Sequence, residues 1–212
     1  VMLVLFNALF GDGRVDTPAG EWSVQQFYTG GLAAYTAVSA TYSNLANMVP
    51  IRRDEGVLKR WRSTPLPTWA YIAGLILSSM VIAFVGAALM VTMGVVFYDL
   101  TIDWAKMPAA LVTFLVGVAS FAALGMALVS LIKNPSSSAA VVNATLLPLA
   151  FISDVFVATD SGGFLATVAN IFPLKPFVNA FQDCFNPFVD GSGFSPGRLA
   201  FVAAWGALGL VI

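Results

Sequence analysis

Few side chains in this sequence are equipped for covalent chemistry. There is no histidine, which removes the commonest general base and the commonest metal ligand. Cys184 is the single cysteine, so no internal disulfide can form. The acids that remain as candidates are Asp99, Asp103, Asp154 and Asp183. Paired carboxylates can hold a divalent cation through oxygen, but Asp99 and Asp103 fall in a short polar connection and read more simply as a solvated loop. No lysine follows a glycine, so the phosphate-binding pattern GxxxxGK[ST] is missing. HExxH and CxxC are missing too. No catalytic residue and no metal ligand is assigned, and a chain of this kind cannot hydrolyse ATP alone by the phosphate-loop route.

The composition names the environment. Apolar residues make up 58% and charged residues 10% of the 212, against about 25% charged in ordinary soluble domains. Mean hydropathy is +0.85. With a net charge of -1, nothing points to nucleic acid. The charges are also clustered: none falls in 24–51, 63–98, 107–132, 134–153 or 199–212. Crossing the hydrocarbon takes roughly 20 apolar residues, and the first four windows reach that length. The sequence therefore predicts an all-α polytopic membrane protein.

Prolines, glycines and charges divide it. Residues 1–10 and 198–212 are expected to be partial spans, the chain starting and stopping in mid-helix. Complete spans are expected at 24–49, 68–97, 107–132 and 137–157, six in all. Pro50 is expected to end the second, and Pro65 and Pro67 to precede the third. Asp154 is expected at the membrane interface. Residues 158–196 are too polar and too punctuated to cross, yet rich in phenylalanine. Phe177, Phe181 and Phe185 share one helical face, which suits short helices lying in or dipping into the interface. Asn143-Ala144-Thr145 matches a glycosylation sequon but falls inside a span.

Basic residues set the orientation. Arg52, Arg53, Lys59, Arg60, Arg62 and Lys133 crowd two short loops on one side, which is therefore cytoplasmic. Between the second and third spans a short helix is expected over about 53–63, with Val57, Leu58 and Trp61 on an apolar face. Two readings stay open: a helix that docks in a groove of a soluble partner, or a basic loop that only fixes topology. The span centres lack the carboxylate or histidine expected of ion-coupled transport or of a charged filter.

The run Arg52-Arg53-Asp54-Glu55-Gly56-Val57-Leu58-Lys59-Arg60-Trp61-Arg62-Ser63-Thr64-Pro65 resembles a segment of type 2 ABC-exporter permeases, the family of daunorubicin-resistance-like drug exporters. Glu55, Gly56, Leu58, Arg60, Thr64 and Pro65 carry the match, while Trp61 stands where leucine is more usual. Ile171-Phe172-Pro173-Leu174-Lys175-Pro176-Phe177 is similar to the family's external re-entrant segment. The resemblance covers most of the chain and implies a six-span permease fold with both termini of the full-length protein cytoplasmic, in a bacterial inner membrane. It implies that 51–65, with Arg53 and Trp61, couples to an ATPase, and that 158–196 is external or re-entrant. Two separate ATPase subunits would carry ATP and Mg, a second permease copy or homologue would complete the dimer, and this chain would bind no cofactor. The cargo would be a hydrophobic or amphipathic compound (drug, antibiotic or lipid). The family's path lies between the two permeases along the second and fifth spans, where Tyr35, Ser39, Tyr42, Asn143 and Thr145 would line it; the simpler reading is hydrogen bonding within one bundle. Competing classes are a secondary transporter, a non-transporting assembly subunit and a membrane-embedded lipid-modifying enzyme.

Overall fold

The computed structural model describes residues 4, 13–17, 20–62, 67–98, 100–132, 134–156, 164–186, 188–189 and 191–211. A small antiparallel hairpin comes first: β1 (Arg14–Thr17) pairs with β2 (Gly20–Ser23), Arg14 opposite Ser23 and Thr17 opposite Gly20. From there the structure is helical. The order is α1 (Val24–Val38), a π-helical turn (Ser39–Ser43), α2 (Asn44–Asp54), α3 (Val57–Arg62), α4 (Thr68–Tyr98), a 3-10 turn (Trp104–Lys106), α5 (Met107–Leu131), α6 (Pro135–Ile152), α7 (Phe164–Ile171), α8 (Leu174–Asp183) and α9 (Pro196–Val211). Among the described residues three stretches are long and apolar enough to cross a membrane: Trp69–Tyr98, Trp104–Leu131 and Pro135–Ile152. The apolar helix α9 is shorter. The protein is an all-α polytopic membrane protein with one hairpin attached.

At the centre stand α1 and α5. Apolar positions on every side of a helix demand burial on every side, and Phe27, Leu32, Ala33, Ala34, Ala37 and Val38 of α1 are all buried. Helix α5 contributes Phe114, Val118, Phe121 and Ala122 to the same core. Close approach of backbones, the main route to tight association where lipid is as apolar as leucine, comes from glycines. A Cβ at Gly206 of α9 would stand 2.8 Å from Ser120 Cα, and one at Gly125 2.9 Å from the Tyr42 carbonyl oxygen. Gly117 is the floor on which the Phe177 ring lies: a Cβ there would be 2.0 Å from Cε2.

Residues 24–54 form one helical path, α1 through the π turn into α2. Pro50 does not end it. It sits buried inside α2, and the helix continues to Asp54. An interior proline forfeits one hydrogen bond, a loss that membrane helices tolerate where neighbouring helices hold the segment. Here α2 packs along α5 and α6. The stop comes at Gly56, whose φ of 71° lies in the left-handed region that closes many helices.

Pro135 opens α6 at the first helical turn, where its missing N–H costs nothing. The segment after α6 folds into α7 and α8, broken at Phe172-Pro173. Ten residues in α8 rise about 15 Å, too short to cross. Phe177, Phe181 and Phe185 do share a face, their ring centroids 6.2 Å and 5.1 Å apart. Helix α8 nevertheless packs against α1, α5 and α9, and Leu174, Phe177, Val178 and Phe181 are buried there.

Candidate functional site

Two regions gather the polar groups, one at each end of the bundle. At the basic end, Arg52 and Arg53 fasten the last turn of α2. Arg52 Nη1 donates to Tyr71 Oη of α4 at 3.4 Å, and Arg53 Nη2 donates to the Ile132 carbonyl at 2.6 Å, just past α5. The chain then turns at Gly56. A Cβ there would meet nothing within 4 Å, so glycine serves the backbone angle and not the space. Lys59 and Arg60 amides bond back to the Gly56 carbonyl at 3.1 Å and start α3. Arg60 Nη2 reaches the Glu55 carbonyl at 3.3 Å. Glu55, Lys59 and Arg60 are exposed. The side chains of Leu58 and Trp61, and all of Thr64 and Pro65, lie outside the described residues.

The five residues expected along a path are not one cluster. Tyr42, in the π turn, and Thr145, in α6, meet hydroxyl to hydroxyl at 3.0 Å. Thr145 also bonds to the Val141 and Val142 carbonyls at 3.1 and 2.9 Å. Tyr35 stands farther along, edge-on to the Phe156 ring at 5.4 Å. The Ser39 hydroxyl is buried at the start of the π turn and has no hydrogen-bond partner among the described residues. Asn143 points outward from α6 and is exposed.

The opposite end holds buried polar groups whose partners the sequence reading did not name. Asp154, expected at the interface, is buried and paired with Lys175 Nζ at 3.1 Å, side chains 11% and 7% exposed. Asp154 has a φ of 58°, in the left-handed region, just past the end of α6. Lys106, counted as a loop charge, is buried too, donating to the Asn186 and Val189 carbonyls at 2.7 and 2.8 Å. Gln182 Nε2 of α8 donates to the Phe27 carbonyl at 3.1 Å, and Tyr28 Oη donates to the Phe156 carbonyl at 3.1 Å. Asp183 pairs with Arg198 at the base of α9. Cations and amides from loops and α8 thus satisfy carbonyls of the surrounding elements. The pairing had one legible signal: Lys175 is the sole basic residue between Lys133 and Arg198.

The three candidate acids that are described do not converge. Asp103 is exposed and caps the Ala105 amide at 3.0 Å, Asp154 and Asp183 are held by separate cations, and Asp99 lies outside the described residues. Among the described residues no cluster of three His, Cys, Asp or Glu side chains is placed to hold a metal. Cys184 is buried at the end of α8, and burial pushes its thiol up to about 11. Charges here therefore fasten elements together, while Lys59 and Arg60 of α3 are exposed.

Compared with known proteins, residues 16–212 match a family model described as ABC-2 family transporter protein. No curated protein and no solved structure matches.

Proposed function

Since the chain belongs to the ABC-2 transporter family and so is a membrane component of an ABC transporter, we propose that it is the permease subunit of an exporter. The cargo is a hydrophobic or amphipathic compound, a drug, antibiotic or lipid, and the location is a bacterial inner membrane with the basic end cytoplasmic. Two separate ATPase subunits supply the energy from ATP and Mg. No covalent step occurs on this chain.

One observation carries this reading. A continuous helical path runs from the buried core at α1 to Asp54, is fastened by Arg52 and Arg53, and ends in exposed α3. Force applied to Glu55–Arg62 by a closing ATPase is delivered to a packed rod instead of a slack loop. Residues 51–65 are then the coupling element, with Arg53, Glu55, Gly56, Leu58, Arg60, Trp61, Thr64 and Pro65 at the contact.

A second permease, identical or homologous, covers α6. Its outward face holds Ala139, Ala140, Asn143 and Ala144, all exposed. Small residues allow close helix approach, and an amide left against lipid is costly. Cargo would pass along this seam, beside Tyr42 and Thr145, with Tyr35 and Ser39 farther along the same helical path.

The test replaces Glu55–Arg62 with a Gly-Ser linker and reconstitutes the complex in vesicles. ATP hydrolysis should persist while cargo export stops. Export at the native rate would remove the coupling role and this reading with it.

A further inference from the structure

A crevice of about 260 Å³ opens sideways between α4 and α5, in the halves that adjoin their connecting turn. Its mouth is framed by Phe84, Ala88 and Leu111, all exposed, and its floor by the buried rings of Phe114, Phe181 and Phe185. The rings form a connected series: Phe84 to Phe114 at 5.9 Å, Phe114 to Phe181 at 6.4 Å, Phe181 to Phe185 at 5.1 Å. Both walls belong to helices long and apolar enough to cross a membrane, so the medium at the mouth is hydrocarbon.

We propose that this crevice binds one acyl chain of a membrane phospholipid. The lining offers nothing to a polar ligand. Thr92 is its one hydroxyl, and that hydroxyl already donates to the Ala88 carbonyl at 2.7 Å. A void with apolar walls beside lipid forfeits dispersion contacts until a chain fills it. The headgroup end is also marked: Trp104, 80% exposed, stands at the α4–α5 turn, where amphipathic rings sit at headgroup level. The crevice takes no residue from the π turn or from α6, so it is separate from the face where Tyr42 meets Thr145. That separation favours a resident lipid over cargo. A chain lying on Phe181 and Phe185 extends the core where α8 meets α5. This inference uses no residue of α3 and survives if the coupling role of α3 fails.

The test places the full-length protein in vesicles of phosphatidylcholine carrying a photoreactive diazirine near the end of one acyl chain. After illumination, labelled residues are mapped by peptide mass spectrometry. Label should appear on Phe181 and Phe185, which only a chain inside the crevice can reach, as well as on the open face at Val95–Phe97. In Ala88→Trp, whose ring fills the mouth, the Phe181 and Phe185 label should be lost and the Val95–Phe97 label kept. Leu111→Trp, closing the mouth from the other wall, should do the same. Absence of label from Phe181 and Phe185 in the unmodified protein overturns the proposal. So does label that survives both tryptophans, or cross-links showing a second copy of this chain seated in the crevice.

Discussion

Asp154 and Lys175 face each other at 3.1 Å across the junction between the end of α6 and the start of α8. Neither side chain has ready access to water, so each holds the other's charge. The pair joins a membrane-crossing helix to the short helix that plugs the bundle beside it. Removing one member leaves an uncompensated buried charge, which costs about 3–5 kcal/mol. Lys175→Met alone should therefore lower the thermal unfolding midpoint in detergent sharply. Adding Asp154→Leu should recover most of the loss, because burying two apolar groups is close to neutral. A double variant no more stable than the single one would show that the ionic link is not what joins α6 to α8.

Gly117 should accept no side chain. The Phe177 ring fills the space that a Cβ would take, at 2.0 Å, and Phe177 is fully buried. Gly117→Ala forces the ring aside and should destabilise by roughly 1–3 kcal/mol, the range for overpacked cores. Trimming the obstacle with Phe177→Leu in the same chain should cost less than the two single losses added. Unfolding curves of the two single variants and the double variant measure this; simple additivity would show that the contact is not shared.

The hydroxyl contact between Tyr42 and Thr145 should have a modest energy. Hydrogen bonds between membrane helices average about 0.6 kcal/mol in double-mutant cycles. Tyr42→Phe and Thr145→Val, singly and together, should give a coupling of that size. If the seam beside α6 also carries cargo, the same variants should change export of different cargoes unequally while leaving hydrolysis intact.

At Gly56 the backbone angle decides the outcome. Its φ of 71° costs an ordinary residue roughly 1–2 kcal/mol. Open space surrounds it, so Gly56→Ala changes only the direction in which α3 leaves α2. Hydrolysis by the assembled complex should continue and cargo moved per ATP should fall. An unchanged ratio would mean that the exit angle of α3 does not matter.

Cys184 should be inert in the folded protein. Burial raises its thiol to about 11, and the thiolate is the reactive form. At pH 8 roughly one thiol in a thousand is ionised, and the fraction grows only as pH climbs toward that value. Maleimide labelling should be slow in the native protein and fast after unfolding in detergent and urea. Rapid native labelling at pH 7 would contradict the burial.

What could be read without the structure was local. The i, i+4, i+8 spacing of Phe177, Phe181 and Phe185 requires no partner to be recognised, and the rings do lie along one face. The span expected from 137 starts two residues earlier, at Pro135, whose missing N–H costs nothing in the first helical turn. Pro50 misled because the rule that excludes interior proline was learned in water, whereas packing by α5 and α6 holds α2 together past it. The π turn at Ser39–Ser43 leaves no mark that distinguishes its residues from an α-helical run. Lys175 stands alone among basic residues between Lys133 and Arg198, but nothing local names Asp154 as its partner.

Helix α4 has a dimension worth converting. From Trp69 to Tyr98 is 30 residues, about 44 Å between the first and last Cα at 1.5 Å per step. That equals the thickness of a bilayer with its headgroup zones included, about 40–45 Å, and exceeds the hydrocarbon alone by about 14 Å. Trp69 is 71% exposed at one end, and Tyr98 stands at the other. The helix is thus long enough to reach from one headgroup zone to the other, with an aromatic residue near each end. A thinner bilayer would tip it over, carrying the basic hinge at Tyr71 and Arg52 along with it.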